Sequence, residues 1–410
     1  MVPEPRILRR IEVLVFVTVF LDLVGFGIVI PLLPFYVQSM GGSELTVGVL
    51  LGSFSFTQLL ATPVLGRFSD RYGRRPIILL SLAANAVAMG LFSLASYHHL
   101  LPLLFVSRIL AGATAGNLSA CQATLADVAP PESRARAMGR LGAGIGLGLV
   151  LGPMIGGQLS QWGAWVPPLA AAALALVGAL GVLLAMPETH APSGRAPAAK
   201  QPSRLSVFHS SPRQRALSLM LLLYFFVFLS MTTLQVAFAL LAQERVGWGA
   251  EQVGNIFGLV GGLGLVIQGG LIGPLSKAVG EARLLIFGTL LLAAGMLGVS
   301  ASAQPLPLIG AVVLLGTGLG LTQPLLSSLA SQAANPALLG LTLGLAQSSG
   351  GLARTVGPVA SGALYKALGA SAPFLAGALT ALGAAGLGVL LKREGLGKKH
   401  VPAPAARDDR

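Results

Sequence analysis

The sequence predicts an all-α integral membrane protein with twelve spanning helices arranged as two six-helix repeats. Three observations lead there. Of 410 residues, 54% are hydrophobic and only 10% charged, with a mean hydropathy of +0.79. A soluble domain of that size would expose far too much apolar surface, so the bilayer must act as the solvent. The chain divides into twelve apolar runs, each close to or above the roughly 20 residues that a spanning helix needs. Sequence marks in the first six runs also recur in the last six, as an internal duplication requires.

The runs follow in order. Run 11–37 holds Asp22, Pro31 and Pro34 and is too long and interrupted for a cleaved leader, so it is expected to stay as the first membrane helix. Runs 46–66 and 76–96 flank a charged hairpin, Gly66-Arg67-Phe68-Ser69-Asp70-Arg71-Tyr72-Gly73-Arg74-Arg75-Pro76. Run 100–127 carries Arg108 and the single cysteine, Cys121, and ends on Asp127; run 136–160 is rich in glycine; run 165–186 closes the first half. The second half repeats the plan at 216–243, 251–274, 284–302, 306–332, 338–364 and 372–391. The expected organisation is a first half over 1–187, a Pro-, Ser-, Arg- and Lys-containing linker over 188–215, a second half over 216–392 and a basic tail over 393–410. Gly66 and Gly73 return as Gly273 and Gly280, with Lys277 where Asp70 stands, and Gly152-Pro153 returns as Gly357-Pro358. Parallel repeats of this kind place a solute site between the halves near mid-membrane.

Net charge is +13 and the isoelectric point about 10.8. Its distribution argues against nucleic acid as a partner. Only Arg245 and Lys366 fall in one set of alternate loops and Arg108 and Arg354 inside runs; every other Lys and Arg lies on the opposite face. By the positive-inside rule that face is cytoplasmic and holds both termini, as in a bacterial-type inner membrane. No basic patch with interleaved aromatics exists. One cysteine allows neither an internal disulfide nor a thiol–metal cluster. There is no GxxxxGK[ST], no HExxH and no nucleophile with an evident base, and the five histidines fall in loops or tails. No cofactor, metal or enzymatic activity is expected.

Asp22 is the only one of fourteen acids deep in a run. An aspartate at the bilayer centre costs about 2.5–3.5 kcal/mol on insertion scales, so it is expected to face a cavity and to serve a function. Burial disfavours its charged form, which makes a proton its natural companion. Arg108 must find an acid, a carbonyl or water, and Arg354 is the corresponding cation of the second half, suited to an anionic solute group or a counter-charge. In the fifth run Gly139, Gly148, Gly152-Pro153 and Gly156-Gly157 form a flat face bent at the proline, suited to tight helix contact. Gln58, Gln235, Gln268, Gln323 and Gln347 lie inside runs, where glutamines either line a cavity or bond between helices. Phe26, Phe54, Tyr224 and Phe228 are candidates for an aromatic wall.

The pattern Gly66-x-x-x-Asp70-Arg71-x-Gly73-Arg74-Arg75 resembles the loop between the second and third helices of the major facilitator superfamily. The glycine string resembles the motif typical of that superfamily's antiporters, and Arg108-Ile-Leu-Ala-Gly112-Ala-Thr-Ala-Gly116 resembles a fourth-helix motif tied to proton coupling. The resemblance implies that Asp127 joins Arg71 and Arg74 in a cytoplasmic gate, with Asp70 facing the N-terminus of the eleventh helix, where the dipole favours an anion. Leu21-Asp22-Leu-Val-Gly25-Phe-Gly27, Gln58 and Glu244-Arg245-Val-Gly247-Trp248 look like tetracycline/proton antiporters of the drug:proton antiporter family. Ala88 and Leu292, however, stand where those exporters carry membrane acids, and Gly264 where they carry a histidine, which argues against a tetracycline–metal chelate as substrate. The expected function is proton-coupled export of amphipathic drugs or small molecules by a monomer using alternating access. The alternative is a symporter or facilitator of sugars or metabolites. A non-transporting scaffold would leave the buried acid without a role.

Overall fold

The computed structural model describes residues 5–189, 214–335 and 338–396, and among them every regular element is helical. Twelve long helices succeed one another: α1 (Leu8–Ser39), α2 (Glu44–Tyr72), α3 (Arg74–His98), α4 (Leu101–Val128), α5 (Arg136–Trp162), α6 (Val166–Ala185), α7 (Gln214–Val246), α8 (Ala250–Val279), α9 (Glu281–Ala301), α10 (Pro305–Ala333), α11 (Leu339–Leu368) and α12 (Ala372–Arg393). Most of the expected linker and tail, 190–213 and 397–410, lies outside the described residues.

Eleven of these helices are long and apolar enough to cross a membrane. The exception is α11, which is long enough at 30 residues but dilutes its apolar content with Gly, Ser, Thr, Gln and Arg. Packing explains how such a helix can still span. A Cβ placed on Gly48 or Gly52 of α2 would strike the backbone of Pro358 or Thr355, one on Gly357 would strike Thr232 of α7, and Ser349 Oγ donates to the Leu221 carbonyl at 2.7 Å. Because α11 is clasped by α2 and α7, its polar groups do not all face lipid.

Three helices depart from regular geometry where the sequence demands it. In α1 a 3-10 turn, Ile30–Leu32, surrounds Pro31, which has no N–H for the ladder. The chain of α4 breaks between Ala113 and Asn117, beside Gly112 and Gly116, whose missing side chains admit Phe54, Thr57 and Leu65 of α2. A π-helical turn, Ile267–Leu271, interrupts α8.

The halves repeat one another in packing as well as in sequence. Gly148, Gly152 and Gly156 of α5 lie directly on α1 against Leu23, Gly27 and Ile28, while Gly357 of α11 lies on α7. Across the halves, α5 meets α8 (Gly157 against Ala250 and Glu251) and α11 meets α2 (Gly362 against Glu44). The hairpins after α2 and α8 turn through Gly73 (φ +106°) and Gly280 (φ +92°), a conformation that strains any residue bearing a Cβ. Separate apolar clusters fill each half, with Val236 of α7 reaching into the first-half cluster beside Tyr36 and Val37.

Backbone contact at Gly48 predicts that Gly48→Val will overpack the α2–α11 crossing. It should destabilise the detergent-solubilised protein by about 1–3 kcal/mol, read as a lower melting temperature. Gly310→Ala, with nothing within 4 Å of the added methyl, should melt with the parent.

Candidate functional site

Two pockets with one lining residue in common, Phe26, lie among the helices. A cavity of about 600 Å³ lies between the halves, walled by Phe26 of α1, Gly139, Gly146 and Pro153 of α5, Gln235 of α7, Phe257 and Gln268 of α8 and Gln323 of α10. Among the described residues no charged side chain lines it. A second pocket of about 160 Å³ sits inside the first half among α1–α4 and takes Asp22, Gln58, Asn85, Arg108 and Asn117. Phe26 lines both pockets.

The smaller pocket gathers two residues that are far apart in sequence, Asp22 and Arg108. Asn85 Nδ2 donates to Asp22 Oδ1 at 3.2 Å. Arg108 is only 2% exposed; its Nη2 approaches Met89 Sδ at 3.3 Å and its guanidinium stacks over Phe92 at 4.7 Å. Among the described residues no ion pair joins Asp22 to Arg108, and Arg108 Nε has no hydrogen-bond partner. The break in α4 is what brings Asn117 here, at the first turn of the helix's second segment. A buried polar group left without a partner costs about 1–3 kcal/mol, so the pocket suits water or another polar group.

Other expected cavity residues separate. Arg354 stacks over Phe228 at 4.7 Å, and neither Arg354 nor Gln347 lines either pocket, because both lie on α11, which contributes to neither. The aromatic wall resolves into two pairs on opposite halves, Phe26–Phe54 and Tyr224–Phe228. Ala88 and Leu292 are fully buried in the apolar clusters of their own halves, away from the cavity, whereas Gly264 lines it. Of the glycine string, Gly148, Gly152 and Gly156 pack on α1, Gly157 meets α8, and Gly139 faces the open cavity.

On the hairpin face Arg74 is the hub. Its Nε donates to Asp127 Oδ2 at 2.9 Å and its Nη1 to Asp70 Oδ1 at 2.5 Å and Ser69 Oγ at 3.2 Å. Arg71 lies over the ring of Tyr72, and Arg75 Nη2 donates to the Leu183 carbonyl at 2.6 Å. Glu188, just beyond α6, accepts from the backbone N–H groups of Arg74 (2.9 Å) and Arg75 (3.2 Å), satisfying free donors at the start of α3. The carboxylate sits where a side chain on Gly73 would project. The second half inverts this arrangement. Glu281, following Gly280, accepts from Ser328 Oγ (2.7 Å) and Gln332 Nε2 (2.8 Å) of α10, and Lys277 is exposed.

Asp70 is 65% exposed and touches Arg74, not the start of α11. The halves are apart on this face: Gly66, Gly139, Gly142, Gly273, Gly340 and Gly344 have nothing within 4 Å of where a Cβ would be. On the opposite face they are clasped. Gln158 and Gln161 of α5 donate to the two carboxylate oxygens of Glu251 on α8 at 3.2 and 2.9 Å. Nearby, Tyr365 Oη donates to Glu244 (2.7 Å), and Arg245 holds the Ser300 and Ser302 carbonyls and Ser371 Oγ, tying α7 to α9 and α12. The structure is therefore the state open towards the hairpin face.

Sequence reasoning missed Asn85, Glu188 and Glu251. The only available signals were a lone polar residue in an apolar run and acids at helix ends, and neither says which distant group it will meet.

The clasp predicts that Glu251→Ala, by removing both acceptors, weakens the closed face by about 1 kcal/mol. Cys121 is buried, so the protein offers a quiet background for thiol labelling. Gly142→Cys should label more slowly when Glu251→Ala is added, as the ratio of the two states shifts about five-fold away from the one open at Gly142.

Comparison with known proteins gives a consistent result. The family model described as Major Facilitator Superfamily matches residues 15–272 and 220–408. The class E tetracycline resistance protein of Escherichia coli is 30% identical over 365 residues, covering 88% of this chain and 89% of that protein. Solute carrier family 22 member 18 of Mus musculus is 31% identical, covering 88% and 91% respectively. Among solved structures, the human organic anion transporter MFSD10 (TETRAN) superposes with a TM-score of 0.70 at 27% identity, covering 94% of this chain and 100% of that one. A bacterial homologue of the lysosomal transporter Spinster, solved inward-facing and unoccupied, gives 0.78 at 15% identity over 95% of this chain and 98% of that one, a likeness of fold.

Proposed function

The chain belongs to the major facilitator superfamily, and on that premise we propose that it is a proton-coupled exporter that exchanges protons for amphipathic small molecules by alternating access. One observation carries the reading. Asp22 is the one acid deep within the helices, and it occupies a polar pocket that shares a wall, Phe26, with the central cavity. A proton taken up there is therefore placed to change what the cavity holds. The tetracycline resistance proteins among its relatives support export of a drug-like molecule.

The cycle follows from the two faces. In the state described, the Gln158–Gln161–Glu251 clasp closes one face while Asp70, beside the Arg74 hub, is exposed on the other. Closing the hairpin face would bring Asp70 towards α11 and release the Glu251 clasp. Protonation of Asp22 removes the charge that Asn85 now stabilises and so changes the relative energies of the two states; a ligand shifts such an equilibrium only by its differential affinity for them. The Lys and Arg bias of the hairpin face supports placing it and both termini in the cytoplasm of a bacterial inner membrane. On this reading residues 1–187 and 216–392 form the two moving halves, the monomer is the working unit, and neither cofactor, metal, enzymatic step nor nucleic acid takes part. A symporter or facilitator of metabolites is the second reading, favoured by the absence of charge in the main cavity.

Asp22→Asn separates the two readings. In vesicles with an imposed pH gradient it should abolish uphill export while leaving binding of an uncharged substrate intact; persistent uphill efflux would remove proton antiport through the core. Arg108→Ala should also uncouple. Arg108→Lys should restore export only in part, since an ammonium lacks the planar fork that lies over Phe92.

Asp70→Asn should leave the melting temperature and substrate affinity of the parent and slow turnover several-fold. The exposed carboxylate would contribute only when the hairpin face closes.

A further inference from the structure

The two walls of the central cavity differ in chemistry. From the first half it receives Phe26, the glycine track of α5 and Pro153, none with a polar side chain. From the second half it receives three side-chain amides, Gln235, Gln268 and Gln323, on three different helices. Gln323 Nε2 reaches only the thioether of Met231, at 3.4 Å, and Gln235 and Gln268 have no hydrogen-bond partner among the described residues. Gln268 belongs to the π-turn Ile267–Leu271, a distortion that recurs at functional sites, and both Gln268 and Gly269 line the cavity. Asp22 and the buried Arg108 are together in the side pocket.

We infer that this cavity selects uncharged aromatic molecules that carry several hydrogen-bonding groups. The apolar part rests on Phe26 and the glycine floor of α5, and the polar groups meet the three amides. A volume of about 600 Å³ suits one small molecule. Each amide both donates and accepts, so the site takes carbonyl, nitro, hydroxyl or amide groups alike. An ion would leave water with no counter-charge in the lining, a cost that hydrogen bonds to neutral amides do not offset. The inference rests on the exporter reading for its biological sense, but it concerns binding alone.

The test is equilibrium dialysis of the full chain in lipid nanodiscs, without any gradient, against three probes: chloramphenicol (neutral), tetraphenylphosphonium (a cation) and 1-naphthalenesulfonate (an anion). Chloramphenicol should bind saturably, and both ions at least about tenfold more weakly. Gln235→Leu and Gln268→Leu should each weaken chloramphenicol about three- to tenfold at unchanged melting temperature. Gln235→Glu should raise the affinity for tetraphenylphosphonium. Failure of chloramphenicol to bind, equal binding of either ion to the parent, or indifference of chloramphenicol to both leucine variants would overturn the inference. Loss of proton-driven export in a separate flux assay would leave these binding results standing, so the two readings fail independently.

Discussion

Direct contact between helix backbones at glycine is the constraint on which the rest of this molecule depends. In lipid, apolar side chains gain nothing by turning inward, so association rests on close van der Waals approach. Gly148, Gly152 and Gly156 let α5 lie on α1, and Gly357 does the same for α11 on α7. The same helices then use other glycine contacts, Gly157 against α8 and Gly48 against α11, to join the halves. One row of small residues thus builds each half, and another provides the surface on which the halves meet.

That second set of contacts runs from one end to the middle of the molecule, as far as Gly146 against Leu265 and Gly351 against Leu59. Near Glu44, Glu251 and Gly362 the backbones touch, and Glu251 adds hydrogen bonds from Gln158 and Gln161. At the hairpin end the facing glycines look into open space. The asymmetry makes the central cavity accessible from one side, and it leaves Asp70 exposed beside Arg74. Duplication supplied two hairpins of the same geometry, each turning at a glycine with positive φ, yet their polarity is reversed: an arginine follows Gly73 and an acid follows Gly280. Pseudo-symmetric backbones therefore carry non-equivalent electrostatics.

Charge is partitioned with equal economy. Uncompensated charge is costly at membrane depth, and the main cavity holds none. Asp22 and Arg108 instead share a side pocket with the amides of Gln58, Asn85 and Asn117 and the hydroxyls of Ser81 and Thr114. Solute contact and the titratable acid are thereby kept in adjoining compartments that touch through one aromatic ring, Phe26.

Much of this was legible in the sequence because it depends on local properties. Hydropathy marked the helices, including α11 despite its diluted apolar content; the repeated glycines marked the two hairpins; a lone deep acid marked the smaller pocket. Of the Asp127, Arg71 and Arg74 group that the resemblance implied, Asp127 and Arg74 are in contact, and Arg71 lies over Tyr72. Helix periodicity does not say which face of one helix meets which face of another, so it could not reveal that Glu188 caps α3, that Asn85 serves Asp22, that Glu251 clasps α5, or that Arg354 and Gln347 turn away from both pockets. Nor could it give the open side. A transporter's alternative states share every local preference and differ only in long-range contacts, so the sequence by itself determined the helices and the charged groups they carry, and tertiary structure alone decided which groups face one another.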